Sequence, residues 1–388
     1  MPTSVWALGL VSMFMDTSSE LVHSLLPVFM VTALGSSMVT IGVVEGIAEA
    51  AAAFTKVFSG AISDFYGKRK VFVVLGYGLG AIAKPLFPLA TTVGWVFTGR
   101  FLDRIGKGIR GAPRDALIAD ITALDLRGAA YGLRQSLDSV GAFVGPLLAV
   151  ALMAWLANDI KAVLWVAVVP AFIAVILLVT TVREPDRMDS GTGPRLTLTL
   201  ASARRLPRRY WLIVLLGALF TLARFSEAFL VLRAMEVGSA IGYVPVVMIV
   251  MNIVYAGIAY PAGAIADRIG RRKLLIAGLA ALIAADAVLA AANSPTQVLL
   301  GAALWGLHMA LTQGLLSALV AETAPSELRG TAFGIFNLFS GAALLLASII
   351  AGALWTAYGA TATFLAGAFF ATVATIGLLA YRTKVRVP

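Results

Sequence analysis

Long apolar runs separated by short polar stretches fill this chain from end to end. They fall near 5–33, 39–60, 70–91, 94–119, 128–156, 160–182, 210–235, 241–262, 273–293, 296–321, 330–355 and 359–381. None alternates as a half-buried strand does, and each is close to the ~20 residues a helix needs to cross a bilayer. Lipid admits only helices or closed barrels, because backbone polar groups find no water there. The pattern predicts an all-α membrane protein with twelve transmembrane helices: six, a polar connector, then six. The connector at 184–209, with Asp189-Ser190-Gly191-Thr192-Gly193-Pro194, reads as a flexible cytoplasmic linker between bundles at 1–183 and 210–388.

The second half repeats the first. Gly60-Ala-Ile-Ser-Asp64-Phe-Tyr-Gly67-Lys-Arg69-Lys70 returns as Gly263-Ala-Ile-Ala-Asp267-Arg268-Ile-Gly270-Arg271-Arg-Lys273, 203 positions later. Asp120 to Gly132, holding Leu126-Arg127-Gly128, returns as Glu322 to Gly334, holding Leu328-Arg329-Gly330, 202 positions later. Nearly constant spacing indicates duplication, and a duplicated membrane protein places its working site where the halves meet.

Composition agrees. Hydrophobic residues make up 60% of the chain and charged residues 13%, against about half and a quarter in soluble domains. The net charge of +10 comes from residues flanking apolar runs and sets topology; a nucleic-acid partner is not expected. Lys68, Arg69 and Lys70 follow the second run, Arg268, Arg271, Arg272 and Lys273 follow the eighth, and the connector and tail are also basic. The first, third, ninth and eleventh connections carry no Lys or Arg. The bias puts both termini in the cytoplasm of a multi-pass protein of an inner, plasma-type membrane. With no cysteine, disulfides and thiol chemistry are excluded. Asp16 and Glu20 in the first run, without a basic leader, mark a retained span rather than a signal peptide.

These features resemble the major facilitator superfamily over nearly the whole chain. The two glycine–aspartate–basic loops match its repeated cytoplasmic loops, with Phe65 where a basic residue is usual and Arg268 retained in the second copy. The resemblance implies that Gly60, Asp64, Gly67, Arg69, Gly263, Asp267, Arg268, Gly270 and Arg271 take part in gating, the alternative being that they serve folding and topology alone. Gly132, Gly141, Gly145 and Pro146 in the fifth run resemble a motif found mainly in the family's exporters. Glycines let helices pack closely and proline bends them.

Charges inside the apolar runs mark candidate function, because each costs roughly 3 kcal/mol at mid-bilayer. Asp16, Glu20 and His23 share one helix face, as do Glu45 and Glu49. Lys84 precedes Pro85. Arg100, Arg104, Lys107, Arg110 and Arg114 form a basic stripe about 21 Å long. Arg100 with Asp103 resembles a family motif linked to proton transfer. The stripe is either a proton-relaying or anion-attracting wall, or a set of structural partners for the acidic groups. In the second half Arg224, Glu227, Asp286, His308 and Gln313 are the candidates, with Asp286, Arg224 and Glu227 expected across the cavity. Gly76-Tyr77-Gly78-Leu79-Gly80-Ala81 only mimics a dinucleotide loop, since no strand precedes it.

The expectation is a monomeric secondary transporter working by alternating access in the lipid bilayer. It is not an enzyme and needs no cofactor; its energy source is the proton gradient. Proton-coupled export of a small molecule is the favoured reading, with Glu20, Asp103, Glu45 or Glu49 as proton sites. Two rivals remain within the class: uptake of an anionic metabolite clasped by Arg100, Arg104 and Lys107, and efflux of a divalent metal as substrate through Asp16, Glu20 and His23. A channel or sensor is the reading from a different class, disfavoured by the duplication.

Overall fold

The computed structural model describes residues 1–184, 204–312, 315–325 and 328–380; at 61, 64, 264–268, 317, 318, 329 and 330 it describes the backbone alone. The first half holds α1 (Thr3–Thr32), α2 (Met38–Tyr66), α3 (Arg69–Ala83), α4 (Val93–Asp120), α5 (Arg127–Trp155), α6 (Ile160–Val166) and α7 (Val168–Thr181). The second holds α8 (Arg208–Leu222), α9 (Ala228–Glu236), α10 (Val246–Ile269), α11 (Arg271–Ala291), α12 (Pro295–Thr312), α13 (Leu315–Thr323), α14 (Arg329–Tyr358) and α15 (Ala360–Ala380). No strand occurs among the described residues. Local chemistry sets the ends: the Ser37 side chain accepts the Thr40 N–H to start α2, and Gly67, at φ +66°, ends it.

Among the described residues, seven helical segments are long and apolar enough to cross a membrane: Met38–Gly60, Leu124–Trp155, Ile160–Thr181, Ile241–Gly263, Arg271–Ala291, Thr331–Tyr358 and Ala360–Ala380. Three runs are interrupted, one of them (Ile160–Thr181) among these seven, whereas α1 and α4 are continuous. The run at 70–91 gives way after Ala83 to a single 3-10 turn, Lys84–Leu86, where Pro85 has no N–H to donate. The run at 160–182 breaks at Ala167, three residues before Pro170, which leaves the Val166 carbonyl outside the ladder. The run at 210–235 breaks between Leu222 and Ala228 and restarts where Ser226 Oγ accepts the Ala228 N–H at 3.3 Å.

The duplication extends to side-chain contacts. Arg69, at the start of α3, pairs with Asp120 at the end of α4 at 2.8 Å. Arg271 and Glu322, each 202 positions further on, pair at the start of α11 and the end of α13. Lys70 Nζ donates to the Val179 carbonyl at 3.2 Å, and Arg272, 202 positions on, donates to the Leu378 and Leu379 carbonyls. The Arg69 and Lys70 backbone N–H groups also donate to the Glu184 carboxylate, at 2.6 and 3.0 Å, which places negative charge at the positive end of α3.

Two antiparallel seams join the halves. Along α2 and α14, Gly352 lies on Met38, Gly42 on Ser348, Gly46 on Leu345 and Gly341 on Ala53. Along α5 and α10, Gly242, in the 3-10 turn before α10, faces Met153 and Asn158, the latter just past α5, and the Asn252 amide donates to the Ala142 carbonyl at 3.0 Å. Both seams are tight at the end bearing Met38 and Trp155. Past Ala53 and Ala142 they part around a cavity. The apolar clusters follow the same division: one, including Leu25, Phe29, Phe229 and Trp355, spans both halves at the tight end. Toward the other end the clusters separate, one around Leu8, Tyr77 and Leu178, another around Tyr210, Val320 and Phe336.

An added Cβ at Gly42 would run into the Ser348 backbone carbonyl, which no rotamer change relieves. Gly42→Leu is therefore expected to force the tight end apart. Spin labels on cysteines introduced at Trp155 and Tyr243, near the same end, should read a longer distance; an unchanged distance would show that the seam tolerates the side chain.

Candidate functional site

Small residues let the two halves approach, and charged ones are gathered where they part. The resulting cavity has a volume of about 690 Å³ and draws its walls from both halves. From the first half come Asp16 of α1, Glu49 and Lys56 of α2, Lys107, Arg110, Arg114 and Asp115 of α4, and Arg134 and Asp138 of α5. The second half supplies Arg224, Asn252, Tyr255, Met309 and Asn337. The size suits a small organic molecule.

Behind this wall lies a buried ion-pair network. Arg100 makes a two-pronged contact with Glu45, Nε to Oε1 at 2.9 Å and Nη2 to Oε2 at 2.7 Å, with both side chains 1% exposed. Arg104 stands 2.9 Å from the Glu49 carboxylate, and Arg100 3.7 Å from it. Lys84 donates to Asp103 at 2.8 Å and to Ser19 Oγ at 2.9 Å. His23 sits between Glu20 at 3.5 Å and Glu45 at 3.8 Å. Two-pronged arginine–carboxylate contacts are among the strongest charged hydrogen bonds, and in lipid their partners have no water to fall back on. This part of the basic stripe holds α4 against α2 and α3.

The lower stripe faces the cavity. Arg114 donates to Ser12 Oγ at 2.9 Å and lies 3.3 Å from Asp115. Arg134 pairs with Asp138 at 2.8 Å and approaches Asp115 at 3.8 Å. The Arg110 guanidinium lies 4.5 Å from the centroid of the Tyr77 ring, a cation–π contact.

Of the residues expected on the pathway, Asp16, Glu49, Lys107 and Arg224 line the cavity. Glu20, His23, Glu45, Lys84, Arg100, Asp103, Arg104 and Glu227 do not; most belong to the network behind it. The anticipated anion clasp of Arg100, Arg104 and Lys107 is therefore not assembled, since Glu45 and Glu49 engage both arginines and, of the three, Lys107 alone lines the cavity. Asp286, expected across the cavity, is instead 0% exposed, beside Phe225 and Gly367, with neither carboxyl oxygen hydrogen bonded. His308 is also fully buried, stacked on Phe220 and bonded through Nδ1 to the Gly278 carbonyl at 2.9 Å. Among the described residues no three His, Asp or Glu side chains are placed to share a metal ion, so Asp16, Glu20 and His23 do not form the anticipated site. Gln313 and the side chains of Asp64, Asp267 and Arg268 lie outside the described residues.

In the exporter-like stretch, Gly141 and Gly145 seat α5 on the α1 backbone, while a Cβ at Gly132 would meet nothing within 4 Å. Gly60 faces Ala112, and Gly263 has open space beside it. Gly76, from the rejected dinucleotide-like run, packs on the Gly106 carbonyl of α4. Sequence reasoning missed Lys56, Arg134 and Asp138 as cavity residues. Lys56 was readable: it stands seven positions after Glu49, on the same helical face.

The sequence model described as Major Facilitator Superfamily matches residues 8–252 and 234–388. An uncharacterized MFS-type transporter of Methanocaldococcus jannaschii is 33% identical over 384 residues, covering 97% of this chain and 94% of that protein. A probable 4-methylmuconolactone transporter of Cupriavidus pinatubonensis is 26% identical over 345 residues, 85% of this chain and 77% of that protein. The crystal structure of the nucleoside transporter NupG overlays with a TM-score of 0.77 at 16% identity, covering 98% of this chain and all of that one. A duplicated helical chain with a cavity between its halves, matched by this family's model from end to end, is a membrane transporter and not an enzyme: it belongs to the Major Facilitator Superfamily.

Proposed function

We propose that the chain is a proton-coupled secondary carrier that exports a small molecule by alternating access. In this reading the pieces flanking Ala167 and those flanking 223–227 make single crossings, as do Pro295–Thr312 and Leu315–Thr323 together, giving twelve in two bundles, 1–183 and 210–388, joined by the 184–209 linker. The observation that carries the reading is the unequal packing of the seams, tight at one end and parted around a charged cavity at the other. Lys68, Arg69, Lys70 and Arg271 to Lys273 lie at the parted end, so the positive-inside rule makes this an inward-open state with both termini cytoplasmic. Rocking the bundles about the centre would exchange the two ends. The close α1–α5 seat at Gly141 and Gly145 supports export through its likeness to the exporter motif.

Glu45 and Asp103 are held by buried cations, so the proton sites are better placed at Asp16, which faces the cavity without an ion pair, and at the Glu20–His23 couple. One observation favours a second reading, uptake of an anion with a proton: the cavity carries more unpaired cations than unpaired carboxylates. Proteoliposomes containing a pH-sensitive dye separate the two, tested with ethidium and with aromatic carboxylates. Export by antiport predicts proton flux opposite to the cargo, and counterflow of labelled cargo without any gradient. Proton flux in the same direction as cargo establishes the uptake reading, and flux without counterflow establishes a channel.

A further inference from the structure

We infer that the cargo is an organic anion, bound through a carboxylate or phosphate by Lys56, Lys107 and Arg224. The inference rests on the carrier reading and holds for either direction of transport.

It follows from which charges in the cavity are already satisfied. Glu49 faces Arg104 and Arg100, Asp115 faces Arg114 and Arg134, and Asp138 faces Arg134. Arg110 lies against Tyr77. Among the described residues, what remains without an ion pair is four cations, Lys56, Lys107, Arg224 and the Tyr77-stacked Arg110, and one carboxylate, Asp16. The surplus is positive.

Their placement makes them a site rather than a topology signal. Lys107 lies near the middle of α4, where a lipid-facing or unpaired cation is costly, whereas residues that set orientation lie in loops. Lys56 is its neighbour: the Lys56 stem runs along Gly111, and Gly108 packs against Ala52 and Thr55 of α2. Arg224 comes from the opposite half, at the break between α8 and α9. An anion reaching from the lysine pair to Arg224 therefore touches both halves at once. It would neutralise charges whose mutual repulsion opposes closing the parted end, which links binding to the conformational change.

The remaining walls fit an organic body. Ala52, Ala53, Ala142, Met309 and Leu344 are apolar, and Tyr255, Asn252 and Asn337 offer hydrogen bonds. A guanidinium grips carboxylate or phosphate with two prongs, and lysines add mobile point charges. Moving an anion outward also runs down an inside-negative potential, worth about 2.3 kcal/mol per charge per 100 mV.

The test uses the purified full chain and probes differing mainly in charge: naphthoate, naphthyl phosphate, neutral naphthamide and cationic naphthylmethylammonium. Binding is measured by competition and thermal shift in detergent, and counterflow in proteoliposomes. At least one anion should bind tenfold or more tightly than the amide. Lys107→Gln and Arg224→Gln should each weaken anion binding about tenfold, and Lys107→Arg should retain most of it. Each Gln variant should unfold, without ligand, in the same single thermal transition as the parent, which a merely misfolded variant would not. Preference for the cation, no binding by either anion, or Gln variants that bind anion normally overturns the inference. Counterflow of the cation would then still support the carrier reading, whereas anion binding without counterflow would keep the anion site but overturn the carrier reading and, with it, the anion's being cargo.

Discussion

Arg100→Met is expected to destabilise the chain by about 3–5 kcal/mol, the usual cost of removing one partner from a buried pair. Glu45 would keep its position between α2 and α4, 1% exposed, with both oxygens stripped of their guanidinium donors. His23, at 3.8 Å, reaches one of those oxygens and offers only part of the compensation. Domains are stable by only about 5–15 kcal/mol, so much of the folded population should be lost. Thermal unfolding in detergent, with the yield of membrane-inserted chain, measures the effect. Combining Arg100→Met with Glu45→Gln should recover more than half of the loss, because the uncompensated charge is the main penalty. A single variant as stable as the parent would show that the pair is not what holds α2 and α4 together.

Gly145→Leu should be at least as damaging, for a steric reason. An added Cβ at Gly145 stands 2.7 Å from the Thr17 carbonyl, 2.8 Å from the Leu21 nitrogen and 2.9 Å from Glu20 Cβ. Two of the three are backbone atoms of α1, so relief means moving the helix. Overpacking ordinarily costs about 1–3 kcal/mol, and here it also displaces Asp16 from the cavity and Glu20 from the His23 pairing behind it. Gly145→Ala should cut transport at least tenfold while the chain still inserts, and Gly145→Leu should abolish it. Gly132→Ala in the same motif should be silent, since nothing lies within 4 Å of its Cβ. Transport rates in proteoliposomes for the three variants, normalised to inserted protein, decide it; equal losses at Gly132 and Gly145 would rule out close packing as the motif's purpose.

The contrast between those glycines shows what the sequence makes legible and what it hides. The helical character, the duplication and the close packing at Gly141 and Gly145 are local or periodic features, and they can be read from apolar runs and repeated spacing; that α1 is the partner is not. The helix breaks at Ala167 and after Ala83 were readable too, given Pro170 and Pro85. The division of labour within the basic stripe was not. Arg100, Arg104, Lys107, Arg110 and Arg114 share one face of α4, yet which are consumed by carboxylates depends on α2 lying alongside, a long-range contact. Asp286 misled for the same reason. A carboxyl on an apolar helix signals burial or a pathway equally, and only packing beside Phe225 and Gly367 tells them apart. Lys56 was overlooked because it sits near the end of an apolar run, where a lysine ordinarily marks the headgroups.

Both ends of a single seam can be followed at once. The chain has no cysteine, so introduced labels report without interference. Trp155 and Tyr243, 81% and 66% exposed, flank the tight end of the α5–α10 seam, and Leu124 and Ile269, 79% and 45% exposed, flank the parted end. Pulsed electron resonance on the two doubly labelled chains in lipid nanodiscs should give a narrow, short distance for the first pair and a longer one for the second. Under cargo and a proton gradient, a second population should appear in which the first distance lengthens and the second shortens. Two long distances in one state, or distances unmoved during turnover, would contradict a carrier that opens to one side at a time.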